Sequence, residues 1–118
     1  MKRSKEITSQ YFAFLEKHID DVLSGTVPEF MELNEIAGQL AVSHKHLTDT
    51  VKKEKGQHPC HFYDEKIINE AKIRIANSDQ SIAEIARVFT YDPSNFSKFF
   101  KKITGITPGE FRKNSRQE

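Results

Sequence analysis

The sequence has one cysteine and no tryptophan among its 118 residues, and it lacks any long run of apolar residues. A lone cysteine, Cys60, cannot form an internal disulfide, which favours a reducing compartment. No apolar stretch approaches the roughly 20 residues that a membrane-spanning helix needs, and residues 1–20 lack the apolar core of a signal peptide. These absences argue against a disulfide-stapled secreted fold and a membrane protein. We therefore expect a cytoplasmic protein with no membrane contact.

Residues arranged for catalysis or metal binding are also scarce. There are only five glycines, none of them in a phosphate-binding loop, and no nucleophile has an obvious base partner. His58, Cys60 and His61 lie close together, but a structural zinc site needs about four ligands, and no second pair stands at a suitable spacing. We predict that the chain is not an enzyme, binds no metal and needs no cofactor.

Charge is distributed unevenly although the formal net charge is only +1. Residues 1–32 contain four basic and six acidic side chains, residues 33–93 contain eight and nine, and residues 94–118 contain six and two, so the net charges are −2, −1 and +4. A positive C-terminal end fits a surface that meets phosphate. Lysines on a solvated helix face are also common in proteins that bind nothing charged, so charge alone does not decide the function.

The most informative positive feature is an internal repeat at an offset of 49 residues, without a gap. Apolar positions, alanines, glycines and prolines match: Leu33, Ile36, Ala37, Leu40, Leu47, Val51, Gly56, Pro59 and Phe62 recur as Ile82, Ile85, Ala86, Phe89, Phe96, Phe100, Gly105, Pro108 and Phe111. A lysine pair follows the sixth position in both copies. Because these residues set backbone shape and burial, the repeat predicts two similar small structures side by side.

Helical periodicity and helix-terminal residues predict seven helices and no strand. The predicted helices cover approximately residues 7–24, 33–40, 44–55, 59–77, 82–89, 93–104 and 108–116. Ser43, Ser81 and Asp92 are predicted N-caps, and Gly56 and Gly105 are predicted helix ends. The predicted inward positions include Ile73 in the long helix and Phe96, Phe99, Phe100 and Ile103 in the sixth helix.

Each repeat unit consists of a short helix, a tight turn and a second helix that ends at glycine. Ala37 and Ala86 are small residues at the point where two steeply crossing helices must approach closely. This is the pattern of a helix-turn-helix. In that motif the second helix enters the major groove of DNA, which is wide enough to admit one α-helix.

Together these segments resemble the DNA-binding domain of AraC/XylS-type transcription regulators. The resemblance is carried by SIAEIA at 81–86 and DPSNFSKFFKKITGITPGEFR at 92–112, which are close to the family signature, and more loosely by LNEIAGQLAVSHKHLTDTVKKEKGQHP at 33–59. It implies an all-α fold in which two homeodomain-like helix-turn-helix lobes are joined by a long connecting helix. We assign residues 7–57 to the first lobe, 58–78 to the connecting helix and 79–116 to the second lobe, within one domain at 7–116.

The second turn departs from the family pattern. Family members usually have glycine and then phenylalanine there, with one more residue than this chain, whose turn reads Phe89-Thr90-Tyr91-Asp92. Threonine is poorly suited to a positive φ. We therefore predict that this turn is built differently.

The resemblance implies that the two second helices enter successive major-groove segments, about 34 Å apart. The base-reading candidates are Lys45, Thr48, Asp49, Ser94, Asn95 and Lys98. The phosphate-contact candidates are His44, Lys52, Lys53, Ser97, Lys101, Lys102 and Arg112. Lysine suits guanine, asparagine suits adenine, and an aspartate suits only the N4 amino group of cytosine. For Asp49 the alternative is a surface charge paired with Lys45 or Lys53.

These features predict a sequence-specific DNA-binding domain of a bacterial transcription activator, with double-stranded DNA and RNA polymerase as partners. The family resemblance leaves two arrangements open: a complete small regulator, or one domain downstream of an effector-binding domain in a longer chain. The alternative function is a protein-interaction module that has kept the fold but lost specific DNA reading. Asp49, the short second turn and the near-neutral net charge favour that alternative.

Overall fold

The computed structural model describes residues 4–116. Within this range the chain forms seven α-helices and no strand, which confirms the predicted fold class. The helices are α1 (Ser4–Leu23), α2 (Leu33–Gln39), α3 (His44–Lys55), α4 (Pro59–Asn77), α5 (Ile82–Val88), α6 (Pro93–Thr104) and α7 (Pro108–Ser115). We call α1–α3 the first lobe and α5–α7 the second lobe; α4 connects them.

The sequence repeat is also a structural repeat. Helices α5 and α6 begin and end 49 residues after α2 and α3, and α7 begins 49 residues after α4. Gly56 and Gly105 end α3 and α6 in the left-handed conformation, with φ of 77° and 88°. The predicted N-caps are confirmed: the Ser43 and Ser81 hydroxyls and the Asp92 carboxylate accept hydrogen bonds from backbone N–H groups of the helices that follow them.

The two tight turns have the same backbone conformation, and the expectation that a threonine would avoid a positive φ in the second turn is wrong. Ala41 and Thr90 occupy equivalent positions with φ of 58° and 62°. In the second turn the Tyr91 N–H donates to the Ala86 carbonyl oxygen at 2.9 Å, and the equivalent bond in the first turn measures 3.0 Å. This is the Schellman ending of a helix, which usually has glycine at the left-handed position. Here the hydrogen bonds and the packing of Tyr91 hold a threonine there.

A continuous hydrophobic core passes through both lobes. Five apolar residues of α1 lie on one buried stripe: Ile7, Tyr11, Leu15, Ile19 and Val22. This stripe faces α3 and α4, while α4 also packs against α5, α6 and α7. The second lobe buries Phe89, Phe96 and Phe100 completely. Helix α4 therefore provides core surface to both lobes, because neither lobe is large enough to bury its apolar residues alone.

Two predicted core positions are wrong and a third is only half-buried. Ile73 is 54% exposed and Ile103 is 40% exposed, while Phe99 is half-buried. Ile103 occupies the repeat position of Glu54, which is outside the core of the first lobe as well. Helix α4 touches helices of both lobes, so apolar residues cover much of its circumference, and Ile73 lies on the side that remains open.

Candidate nucleic-acid interface

Helix α3 packs one side against the core and exposes a polar face on the opposite side. Leu47, Thr50 and Val51 are buried, so the opposite side of the helix faces solvent. The exposed residues of that side are His44, Lys45, Asp49, Lys52 and Lys53, and Thr48 is half-buried beside them. The first-lobe candidates for DNA contact thus lie together on one accessible helix face.

Helix α6 presents the equivalent face of the second lobe. Phe96 and Phe100 anchor it in the core with their rings fully buried. The outward residues are Ser94, Asn95, Lys98, Lys101 and Lys102, with Ser97 half-buried. Three of these residues are lysines, and α6 contains no acidic residue. The structure therefore groups all of the second-lobe candidates on α6 into one basic surface.

In the first lobe two base-reading candidates bind each other. The Lys45 Nζ lies 2.8 Å from Asp49 Oδ2 in an ion pair across one helical turn. The hydrogen bond between them raises the pKa of Lys45 and lowers the pKa of Asp49. Of the two partners expected for a paired Asp49, the structure selects Lys45. The pair stands on the exposed outer face of α3.

Arg112, a candidate for phosphate contact, forms hydrogen bonds within the fold. Its Nε donates to the Ile75 carbonyl oxygen at 3.0 Å and its Nη2 donates to the Ser78 carbonyl oxygen at 3.3 Å. Arg116 also donates to the Ser78 oxygen, at 2.7 Å. These arginines satisfy backbone groups where α4 ends and the second lobe begins. The half-buried Arg112 is therefore left out of the proposed interface.

Sequence reasoning missed two charged groups near the recognition helices. Lys55, in the last turn of α3, places its Nζ 5.6 Å from the ring centroid of Phe12. Asp64 of α4 lies close enough to Lys102 for the lysine to influence it: burial raises the pKa of Asp64, while Lys102 and His61 act in the opposite direction. Neither contact joins residues at a helical or repeat spacing, so no sequence pattern indicates them.

The histidines and the cysteine near residue 60 have local structural roles. His58 is the N-cap of α4, where its Nδ1 accepts a hydrogen bond from the Cys60 N–H at 3.1 Å. His61 points its Nε2 toward Glu65 Oε2 at 3.4 Å. Across residues 4–116 no group of three or more His, Cys, Asp or Glu side chains is placed to hold a metal ion. Among the same residues no helix is both long and apolar enough to cross a membrane.

Comparisons with known proteins agree with this geometry. A family model described as "Helix-turn-helix domain" matches residues 36–114. The uncharacterised HTH-type transcriptional regulator YtdP of Bacillus subtilis is 34% identical over 87 residues, which are 73% of this chain and 11% of that regulator. The chain spans between 11% and 34% of the length of the curated regulators that it matches.

Solved structures show the same fold. The C-terminal domain of AraT, a response regulator from Geobacillus stearothermophilus, aligns with a TM-score of 0.80 and 25% identity over 96% of this chain and 88% of that domain. The DNA-binding domain of AdpA, a global transcriptional factor solved in complex with a target DNA, aligns with a TM-score of 0.73 and 19% identity, covering 92% of each chain. The family model matches most of the chain, and the fold is shared with these solved domains. The protein therefore belongs to the AraC-type helix-turn-helix family, whose members are DNA-binding domains of transcription regulators and not enzymes.

Proposed function

We propose that this chain is the sequence-specific DNA-reading part of a bacterial transcription activator, and that α3 and α6 enter two successive major-groove segments. The observation that carries the proposal is the pair of equivalent helix-turn-helix units, each with an accessible face on its second helix. The domain measures 50 Å along its longest axis, so it is long enough for two recognition helices to stand about 34 Å apart. One chain would then read two half-sites without a second copy.

The outward side chains suit different parts of the duplex. Asn95 can form two hydrogen bonds with adenine, and Lys98 can donate to guanine O6 and N7. Ser94 and Thr48 can contact several bases. We assign the remaining candidates to phosphate oxygens, which position a protein on DNA without reading sequence: His44, Lys52, Lys53, Ser97, Lys101 and Lys102.

The test is fluorescence-anisotropy binding of the chain to a pool of random duplexes at about 50 mM and about 200 mM salt, followed by selection and sequencing of the bound DNA. We expect enrichment of a bipartite motif whose halves are one helical turn apart. Binding must also weaken steeply with salt, because each neutralised phosphate releases counterions. A motif with only one half would refute docking by both recognition helices.

Two variants of α6 separate base reading from phosphate holding. Asn95→Ala and Lys98→Ala should each cost about 1–3 kcal/mol on the selected duplex and relax base preference at one position. Lys101→Ala should weaken binding to selected and random duplexes alike and reduce the slope of log affinity against log salt by about 1. Equal losses on both kinds of duplex for Asn95→Ala would show that it does not read a base.

The alternative function, a protein-interaction module, is favoured by the Lys45–Asp49 pair, which neutralises part of the first recognition face. Phosphate contacts distinguish the two functions, because a module that binds only protein has no steep salt dependence toward DNA. Absence of enrichment together with salt-insensitive, weak binding would favour the interaction module.

Activation requires contact with the transcription machinery as well as with DNA. A cleft of about 320 Å³ between α1 and α4 is lined by residues of these two helices and by neither recognition helix: Glu16, Ile19, Asp20, Lys66, Asn69 and Glu70. Because neither recognition helix lines this cleft, we propose it as the side that faces RNA polymerase in the bacterial cytoplasm. Because the curated relatives are much longer than this chain, we also propose that an effector-binding domain lies upstream of it in a longer protein.

Transcription in vitro from a promoter containing the selected motif tests the activator role. A fall in transcript yield would indicate a repressor.

A further inference from the structure

We infer that Asp49 is a specificity-determining residue, which keeps Lys45 from binding DNA of the wrong sequence. The inference rests on the proposed function, since it concerns how the first recognition helix reads DNA. It starts from the repeat: Asp49 and Lys98 occupy equivalent positions on α3 and α6, so the two lobes carry opposite charges at the same point of their recognition faces. Such an exchange makes the two lobes chemically different readers.

The Lys45–Asp49 pair contributes little to folding. Both side chains are largely in water, with 85% of Lys45 and 61% of Asp49 exposed, and exposed ion pairs have small effects on stability. The order of the charges is also the weaker one, because lysine precedes the acid along the helix, whereas an acid N-terminal to lysine agrees better with the helix dipole. The pair therefore matters mainly for what approaches α3 from outside.

When DNA lacks the preferred bases, it approaches a first lobe in which the positive charge of Lys45 is neutralised by Asp49. With Lys45 bound to Asp49, the lysine is less available to attract phosphates, and the carboxylate is repelled by them. Lys45 and Asp49 separate at a low cost in free energy only where each of them gains a better hydrogen-bond partner on the DNA. Guanine O6 and N7 can accept from Lys45, while a cytosine N4 amino group can donate to Asp49. Thymine offers O4 and a methyl group in the major groove, so it leaves the carboxylate without a donor.

The second lobe has no such restriction. Lys98 lies on a helix that contains no acidic residue, with Lys101 and Lys102 on the following turn. No acidic residue of α6 competes for its ammonium group, which can donate to guanine or to a phosphate oxygen. The second lobe should therefore read its half-site through Asn95 and Lys98 without this restraint, and the first lobe should add discrimination by excluding half-sites that lack cytosine opposite Asp49.

The experiment compares Asp49→Ala with Glu54→Ala on selected duplexes and on the same duplexes with single cytosine-to-thymine changes in the first half-site. Both substitutions remove one negative charge from α3, but Glu54 is outside the ion pair. For the wild type we expect about a tenfold preference for cytosine at one position, equivalent to about 1.4 kcal/mol. Asp49→Ala should abolish that preference by binding the changed duplex more tightly, whereas Glu54→Ala should strengthen both complexes equally and keep the preference.

A Lys45→Ala substitution made in both backgrounds adds a second measurement. If Asp49 restrains Lys45, the loss of Lys45 should weaken binding to random duplexes more in the Asp49→Ala protein than in the wild type. Asp49→Ala behaving like Glu54→Ala, with cytosine preference retained, would overturn the inference and leave the proposed function standing. Wild-type protein that shows neither salt-dependent binding nor enrichment would overturn the proposed function and, with it, this inference.

Discussion

The ring of Phe30 packs edge-on against the ring of Tyr91, with centroids 6.2 Å apart and planes inclined by 77°. Phe30 lies in the connection between α1 and α2, whereas Tyr91 lies in the tight turn that precedes α6. Phe30 also contacts Tyr63 of α4 at 6.2 Å, and the Tyr63 hydroxyl donates to the Met31 carbonyl oxygen at 2.9 Å. A loop of the first lobe therefore touches the turn that orients the second recognition helix.

Because of this contact, we predict that Phe30→Ala makes the spacing and orientation of α3 relative to α6 less fixed. Truncation removes three ring contacts, with His18, Tyr63 and Tyr91, and an aromatic pair is worth about 0.5–1.5 kcal/mol beyond the area it buries. We expect the variant to bind duplexes in which the half-sites are moved apart by one or two base pairs almost as well as the selected spacing. The measurement is anisotropy binding to a series of such spacing variants.

Phe14→Ala is the matched control for this prediction. Phe14 is a half-buried phenylalanine that stacks on His18 at 5.6 Å, so it shares a neighbour with Phe30 but lies within the first lobe. It should lose comparable stability while keeping the spacing preference of the wild type. An unchanged spacing preference in Phe30→Ala would show that α4 alone fixes the two lobes.

The left-handed turn residues predict a stabilising substitution. Thr90 is exposed and β-branched, yet its φ is 62°, a conformation that costs an L-residue about 1–2 kcal/mol. Glycine adopts it freely but loses more entropy on folding, by about 0.5–1 kcal/mol. Thr90→Gly should therefore raise the free energy of unfolding by about 0.5–1 kcal/mol, measured by urea denaturation. Thr90→Ala, which keeps a Cβ, should gain less, and a loss of stability in Thr90→Gly would show that the threonine side chain supports the turn.

The helix layout was predictable because its signals are local. Caps such as Ser43 and Asp92, and the glycines at 56 and 105, act on backbone groups within a few residues of themselves. The repeat then fixed which helices are equivalent. The same reasoning failed at Thr90, because threonine disfavours a positive φ but is not excluded from it. Hydrogen bonds and packing around the turn outweigh the free-energy cost of the left-handed conformation, which is about one or two kcal/mol.

The interface was only partly predictable. Outward positions on α3 and α6 follow from helical periodicity, since the buried residues define the opposite face. The role of Arg112 and the contact between Phe30 and Tyr91 depend instead on how distant segments pack, and no spacing in the sequence encodes them. Lys45 and Asp49 stand at an i,i+4 spacing, so their pairing was foreseeable, but only the structure shows that two predicted base-reading residues bind each other.

A buried hydroxyl ties α1 to the start of α4. The Tyr11 side chain is fully buried, and its hydroxyl donates to the Pro59 carbonyl oxygen at 2.8 Å. Tyr11→Phe removes this hydrogen bond and should lower the free energy of unfolding by about 1 kcal/mol. Tyr91→Phe is the control, because the Tyr91 hydroxyl has no hydrogen-bond partner within residues 4–116, and it should change stability by less than about 0.5 kcal/mol. Equal losses in the two variants would indicate that the hydrogen bond is not the cause.

His18 gives the stability of the fold a dependence on pH. Its Nε2 accepts a hydrogen bond from the Met31 N–H at 2.9 Å, so this nitrogen must be unprotonated. Burial lowers the pKa of His18, although Asp21 and Glu35 act in the opposite direction. The unfolded chain therefore takes up the proton more readily than the folded chain. The stabilisation is present in full above the unfolded pKa of about 6.5 and is lost as the pH falls through the lower folded-state pKa.

His18→Gln isolates this contribution, because glutamine offers an oxygen acceptor that does not titrate in this range. Urea unfolding at about pH 7.5 and about pH 5.5 should show the wild type losing stability toward acid and the variant losing less. His44→Gln, which changes an exposed histidine on α3, should retain the wild-type pH dependence. A His18→Gln protein with the same acid-induced loss as the wild type would show that protonation of other groups controls the stability of the fold below neutral pH.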